Sequence, residues 1–148
     1  MKKEFKGRPV IKGNLTGTCL VSKAGLNLLA SFQKSLLKKE KKAICSDQDN
    51  KDLYKKELTG KIICVPQTIG STTGGLVIQT AAKAGLAPAA FLFSEHIDSL
   101  AAAGVVLSNV WTNIKIITLD NLGNEFLNTV KEGMTLEIRE DGTILIKE

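Results

Sequence analysis

The segment KIICVPQTIGSTTGGLVIQTAA, residues 61–82, constrains the fold of this chain more than any other. Four apolar residues, Ile62 to Val65, stop at Pro66, which cannot donate to a sheet ladder. A loop of small residues follows, with Gly70, Ser71, Thr72, Thr73, Gly74 and Gly75, before apolar residues resume at helical spacing. A strand that empties into such a loop and then a helix leaves unpaired N–H groups at one end of a sheet. Those groups and the helix dipole favour an anion, and a hydroxyl held among them is well placed for chemistry. Ser71 is the leading candidate for that role. Its plainer reading is a helix N-cap, where Ser, Thr and Gly are ordinary residues.

The helix after the loop is expected over 74–84, ending at Gly85. Pro88–Phe93 reads as a second buried strand. Strand, helix and strand in that order imply a parallel pair with a right-handed crossover. Residues 96–103 read as a short helix ending at Gly104, Ile114–Thr118 as a third strand, and Asn124–Val130 as a helix stopped by Gly133. The tail MTLEIREDGTILIKE alternates Leu136, Ile138, then Ile144, Ile146 around Asp141-Gly142, which predicts a β-hairpin. Upstream, Pro9–Lys12 and Thr18–Ser22 are strand candidates and Ala43–Cys45 a short one. Residues 25–37 are ambiguous, although Leu26, Leu29, Phe32, Leu36 and Leu37 fit one helical face. Residues 46–60 are polar and read as a surface loop closing at Gly60. The expectation is one α/β domain over residues 1–148, with a central mixed or parallel sheet, flanking helices and a C-terminal hairpin.

Charge and cysteine usage narrow the function classes. The net charge of +5 gathers largely in lysines, notably in LLKKEKK at 36–42. Nucleic-acid modules interleave such runs with stacking aromatics; here only Phe32 and Tyr54 flank it, so the run reads as a solvated face and no nucleic-acid partner is expected. Cys19, Cys45 and Cys64 are widely spaced, without a C-x-x-C. That spacing argues against a disulfide framework and against a metal or iron–sulfur site in this chain alone. Cys64, inside an apolar run, is expected to be buried. No signal peptide or membrane-spanning run is apparent, so the expectation is a soluble, cytoplasmic protein.

Three catalytic readings fail on residue identity. Gly70 to Gly75 has P-loop spacing, but Leu76 and Val77 stand where Lys and Ser/Thr are required. Asp47, Asp49 and Lys51 open like a calcium loop, yet Asp52 replaces its glycine and Leu58 its terminal glutamate. A serine triad would have to use His96, the one histidine, with Asp98 or Asp120. Gly-Ser-Thr-Thr-Gly lacks the nucleophile-elbow spacing, and His96 reads as structural or exposed.

Taken whole, VPQTIGSTTGGLVIQTAAKAGLAPAAFLF resembles the signature of the aconitase X small subunit: strand, Gly-Ser loop, apolar helix and "APAA" strand. The likeness extends over most of the chain, through GRPVIKGNLTGTCLVSK, Ser31-Phe32, LTGKIICVPQ, IDSLAAAGVVLSNVW and EGMTLEIREDGTILI. The resemblance implies a swivelling β/β/α domain and one subunit of a heterodimeric dehydratase (hydro-lyase), in a family that includes hydroxyproline and phosphomevalonate dehydratases. It implies a large-subunit partner that carries the iron–sulfur cluster and most substrate contacts. The family's catalytic serine falls on Ser71, which would act as the base. Gly70 and Thr72 would frame substrate oxygens, with Thr73, Ser31 and Phe32 completing the substrate-binding set. After Phe32 the sequence departs from the family: Gln33-Lys34-Ser35-Leu36 and a Lys-rich stretch replace its Gly-Gly-Val-Asp-Pro, and its His-Pro is missing. The resemblance therefore carries a small hydroxy acid as substrate class but no particular substrate. Two alternatives stay open on the same fold: a non-catalytic binding or regulatory subunit, and a swivelling phospho-carrier. The latter needs a histidine at the loop, where Ser71, Thr72 and Thr73 stand.

Overall fold

The computed structural model describes residues 3–70 and 72–147. The elements run β1 (Glu4–Lys6), β2 (Arg8–Ile11), β3 (Leu15–Val21), β4 (Leu26–Asn27), α1 (Leu28–Leu37), β5 (Ile62–Val65), β6 (Thr68–Ile69), α2 (Gly74–Lys83), β7 (Ala90–Phe93), α3 (Ser99–Trp111), β8 (Ile117–Asp120), α4 (Asn124–Thr129), β9 (Thr135–Ile138) and β10 (Thr143–Lys147). Eight strands form one sheet in the order β1-β10-β9-β3-β5-β7-β8-β2, and β4 and β6 make a separate pair. The β3-β5-β7-β8 stretch is parallel; the flanking pairs are antiparallel. Strand β3 belongs to both halves. Leu15 to Thr18 pair with the hairpin strand β9, whereas Cys19 to Val21 pair with β5.

The apolar run at 62–65 follows from burial on both faces of the parallel strands. Side chains alternate between two cores. Ile63 and Val65 of β5 and Phe91 and Phe93 of β7 face α1, α2 and α3, meeting Leu28, Phe32, Val77, Ile78, Ala101 and Val105. Ile62, Cys64, Ala90 and Leu92 face the other way, toward Leu136, Ile138, Ile144 and Ile146 of the hairpin and Phe126 and Leu127 of α4. The layers are hairpin sheet, parallel sheet and helices, the β/β/α arrangement expected. The hairpin lies where the alternation placed it, closed by Gly142 N–H donating to Arg139 O at 3.0 Å.

Several boundaries differ, each for a physical reason. Helix α3 does not stop at Gly104 but runs on to Trp111. Gly104 is a point of close approach: a Cβ there would lie 2.9 Å from Gly75 O and from the Ile78 side chain of α2. The third strand lies at Ile117–Asp120 rather than 114–118, because the buried Asp120 carboxylate is paired with Arg8 and so can end a strand. Ala43–Cys45 forms only one isolated bridge, Ile44 to Glu57. The polar segment 46–60 is anchored rather than loose, with Leu53 and Leu58 fully buried and Asn50 Oδ1 accepting from the Asp52 and Leu53 N–H groups. Cys64 is buried as expected, and so are the free thiols Cys19 and Cys45. Burial pushes the Cys64 and Cys45 thiols up, which keeps both protonated.

Candidate functional site

The carboxyl ends of the parallel strands point at one edge of the sheet, where ligands of such sheets ordinarily bind. Four loops leave that edge: 22–25 after β3, 66–73 after β5, 94–98 after β7 and 121–123 after β8. Backbone bonds lace them together. Ser94 N–H donates to Val65 O at 3.1 Å, Glu95 N–H to Pro66 O at 3.2 Å, Asn121 N–H to Glu95 O at 3.0 Å and Gly123 N–H to Ser94 O at 2.9 Å.

The loop after β5 is held on two sides. On one, β6 pairs in parallel with β4, setting Leu26 beside Thr68 and Asn27 beside Ile69. Asn27 is also the N-cap of α1, its Oδ1 accepting from Ala30 N–H at 3.1 Å. Its side chain fills the space beside Gly70, where a Cβ would lie 2.6 Å from Asn27 Nδ2. Gly70 has φ +97°, so any L side chain there would be strained as well as crowded. On the other side, Asp98 Oδ1 accepts from Thr68 N–H at 3.1 Å and from Thr68 Oγ1 at 2.6 Å.

Beyond Gly70 the loop reaches α2. The N-cap position falls on Thr73, at φ −84° and ψ 3° without a side-chain capping bond, and Val77 N–H closes the first turn onto Thr73 O. No acidic residue lies in that first turn, so nothing there competes with an incoming anion for the helix N-terminus. Gly70, Thr72 and Thr73 are exposed, and the apolar side chains of Ile69 and Leu76 beside them are 51% and 62% exposed. Ser71 lies outside the described residues. Ser31 and Phe32 sit on the buried face of α1, 0% and 2% exposed. Phe32 packs in the helical core, and the Ser31 hydroxyl makes no hydrogen bond of its own. The structure thus gathers Gly70, Thr72 and Thr73 at one surface and leaves the Ser31 and Phe32 side chains beneath α1.

A second cluster lies at the same edge. Asp120, fully buried, accepts from Arg8 Nε at 2.8 Å, Arg8 Nη2 at 2.6 Å and Ile97 N–H at 2.8 Å. His96 Nδ1 lies 2.8 Å from Ile97 O and its Nε2 3.3 Å from Arg8 Nη2. His96 is thus tied into a structural brace and has no serine partner among the described residues. Burial pushes the Asp120 carboxyl up, but Arg8 and the Ile97 N–H outweigh it and hold it below its ordinary value. A carboxyl depressed in the folded state stabilises the fold above the unfolded-chain value, about 3.9, and that contribution is lost as the pH falls through the folded value. Urea unfolding between roughly pH 5 and pH 2 is therefore expected to show a shallower acid decline for Asp120→Asn than for wild type. Equal slopes would remove Asp120 as a source of acid sensitivity.

Asn27 and Arg8 carry no role in the sequence motifs, and Asp98 and Asp120 enter them only as orienters of the rejected triad. Asn27 and Asp98 carry a legible signal, an Asx residue just before an apolar helix. Arg8 and Asp120 are 112 positions apart and carry none. Among the described residues no three His, Cys, Asp or Glu side chains converge as metal ligands, and no described helix is long and apolar enough to cross a membrane.

Comparison with known proteins agrees with this architecture. A family model described as the aconitase X swivel domain matches residues 4–146. The phosphomevalonate dehydratase small subunit of Methanocella arvoryzae is 30% identical over 145 residues, 98% of this chain and 98% of that one. That of Pyrococcus furiosus is 30% identical over 107 residues, 72% of this chain and 74% of its own length. The crystal structure of Thermococcus kodakaraensis aconitase X, in its holo-form, matches with a TM-score of 0.82 at 25% identity, covering 99% of this chain and 100% of that one.

Proposed function

The chain belongs to the aconitase X swivel-domain family, and from that premise we propose that it is the small subunit of a dehydratase that removes water from a small hydroxy acid, with Ser71 as the base. The observation that carries this reading is the exposed loop at the carboxyl edge, held between Asn27 and Asp98 and followed by a helix N-terminus free of acidic residues. The naming of the relatives as small subunits supports a large-subunit partner, and their naming as phosphomevalonate dehydratases supports the reaction class.

Dehydration breaks a C–H bond beside an acid group and a C–O bond on the neighbouring carbon, leaving a double bond and water. In this reading the Ser71 oxygen takes the proton. Serine ionises far above neutral pH, so its anion must be stabilised. The backbone N–H groups of Gly70 and Thr72 and the α2 dipole supply part of that in this reading. Gly70 and Thr72 orient substrate oxygens through their backbone, and Thr73 opens the helix beneath them. Ser31 and Phe32 serve from below, seating the helix whose cap abuts Gly70. An iron–sulfur cluster would act as Lewis acid on the departing hydroxyl. The described residues of this chain do not fit such a group, so the proposal assigns it to the large subunit and leaves the isolated chain inactive.

The test is co-expression with a candidate large subunit, purification of the complex, and product analysis against a panel of hydroxy acids headed by phosphomevalonate. Release of one water per double bond formed, by the complex and by neither chain alone, is the expected result. A complex that binds these acids without dehydrating any of them would favour a binding or regulatory subunit.

A further inference from the structure

Asp98 does more than a helix cap requires. As N-cap of α3 it needs one oxygen, and Oδ2 fills that role by accepting from Ala101 N–H at 3.0 Å. Serine would cap about as well. The other oxygen, Oδ1, turns away from α3 and accepts both the N–H and the hydroxyl of Thr68. Among uncharged capping side chains none offers two acceptor oxygens that can face two elements at once. Hydrogen bonds to a carboxylate are also about twice as strong as neutral ones.

The partner of that second oxygen is what gives it meaning. Thr68 is 8% exposed and opens β6, a strand of two residues. Two residues cannot hold a conformation by their own ladder. Strand β6 is fixed by β4 and Asn27 on one edge and by Asp98 on the other. Gly70 and Ser71 follow directly. Building on the function proposed above, we propose that Asp98 is the positioning residue of the serine loop, locking Thr68 so that Ile69 and Gly70, which lead into the loop, are presented in one geometry. It touches no reacting atom; it acts through Thr68.

Two single substitutions and their double separate this role from capping. Asp98→Ser keeps an α3 cap and removes the acceptor for Thr68. Thr68→Val leaves the cap intact and removes the short hydroxyl bond. In the active complex each is expected to lower kcat roughly 10- to 100-fold with KM within about twofold, since small misplacement of a reacting group costs on that order. The double variant should be no worse than the more impaired single, because both break one link. In the isolated chain, amide hydrogen exchange at Thr68 should rise at least about tenfold in Asp98→Ser while the α3 amides stay protected. Unchanged exchange at Thr68, or unchanged kcat in Thr68→Val, would reduce Asp98 to a cap and overturn the proposal. Ser71→Ala in the same assay keeps the two readings apart. Full activity in that variant sinks the base assignment, whereas the Thr68 exchange rate still decides the role of Asp98 even where no substrate turns over.

Discussion

Ser71→Ala is expected to lower dehydration by the assembled complex roughly 10²- to 10⁴-fold, the range over which a positioned base contributes. The loss should fall on kcat, since the hydroxyl that takes the proton contributes little to ground-state binding. The N-cap position of α2 belongs to Thr73 and the turn conformation to Gly70, and the substitution changes neither residue. The complex should elute unchanged in size-exclusion chromatography, with thermal unfolding close to that of wild type. A variant that assembles normally and turns over at the wild-type rate would exclude Ser71 as the base.

The largest effect on stability is expected from Gly104→Val. Helices α2 and α3 meet through two glycines. A Cβ on Gly104 would press to 2.9 Å from the Gly75 carbonyl oxygen and from Ile78 Cβ, and a Cβ on Gly75 to 2.9 Å from Leu100 O. Backbone atoms on both sides leave no rotamer through which to escape. Replacing a helical glycine ordinarily gains up to about 1 kcal/mol from reduced chain entropy, but overpacking costs 1–3 kcal/mol and β-branching adds to it, so a net loss of about 2–3 kcal/mol is expected. In a domain of this size that is roughly 5–10 °C in melting temperature. The midpoint of urea unfolding should fall with its slope unchanged. A melting temperature within a degree of wild type would show that the helices separate freely and that the glycine contact is incidental.

That contact also shows where the sequence could be read and where it could not. Glycine stops a helix often enough that Gly104 reads as an end; only the neighbouring Gly75, on another helix, turns it into a contact. Ile62–Val65, Ala90–Phe93 and the 135–147 hairpin were legible because their signal is local: apolar runs cut by Pro66 and Ser94, and strict alternation around Asp141-Gly142. The β4 and β6 strands, two residues each, have no period to read. Strand β1 needs its partner β10 to exist at all, pairing Phe5 with Ile144 far along the chain. Asp120 ends a strand, against its propensity, because Arg8 reaches it from across the sheet edge.

At the site, the Gly-Ser-Thr-Thr-Gly loop and the helix after it were visible as a pattern. The devices that hold the loop were not. Asn27 and Asp98 cap helices that follow other strands, and folding alone brings them to either side of Thr68–Gly70. Ser31 and Phe32 stand out in the sequence by resemblance, and the packing of α1 puts their side chains under the surface.

The two-sided alternation along β5 and β7 sets different limits on how relatives of this chain can diverge in length. One residue inserted before Cys64 would carry Cys64 into the helical core and Val65 into the hairpin core. The same insertion beside Thr72, beyond the Thr68 anchor, enters exposed chain and disturbs neither core. Changes of length are therefore tolerated in the exposed loop beyond Thr68 and excluded within β5, so a loop of new reach can arise while the strand beneath it keeps its register.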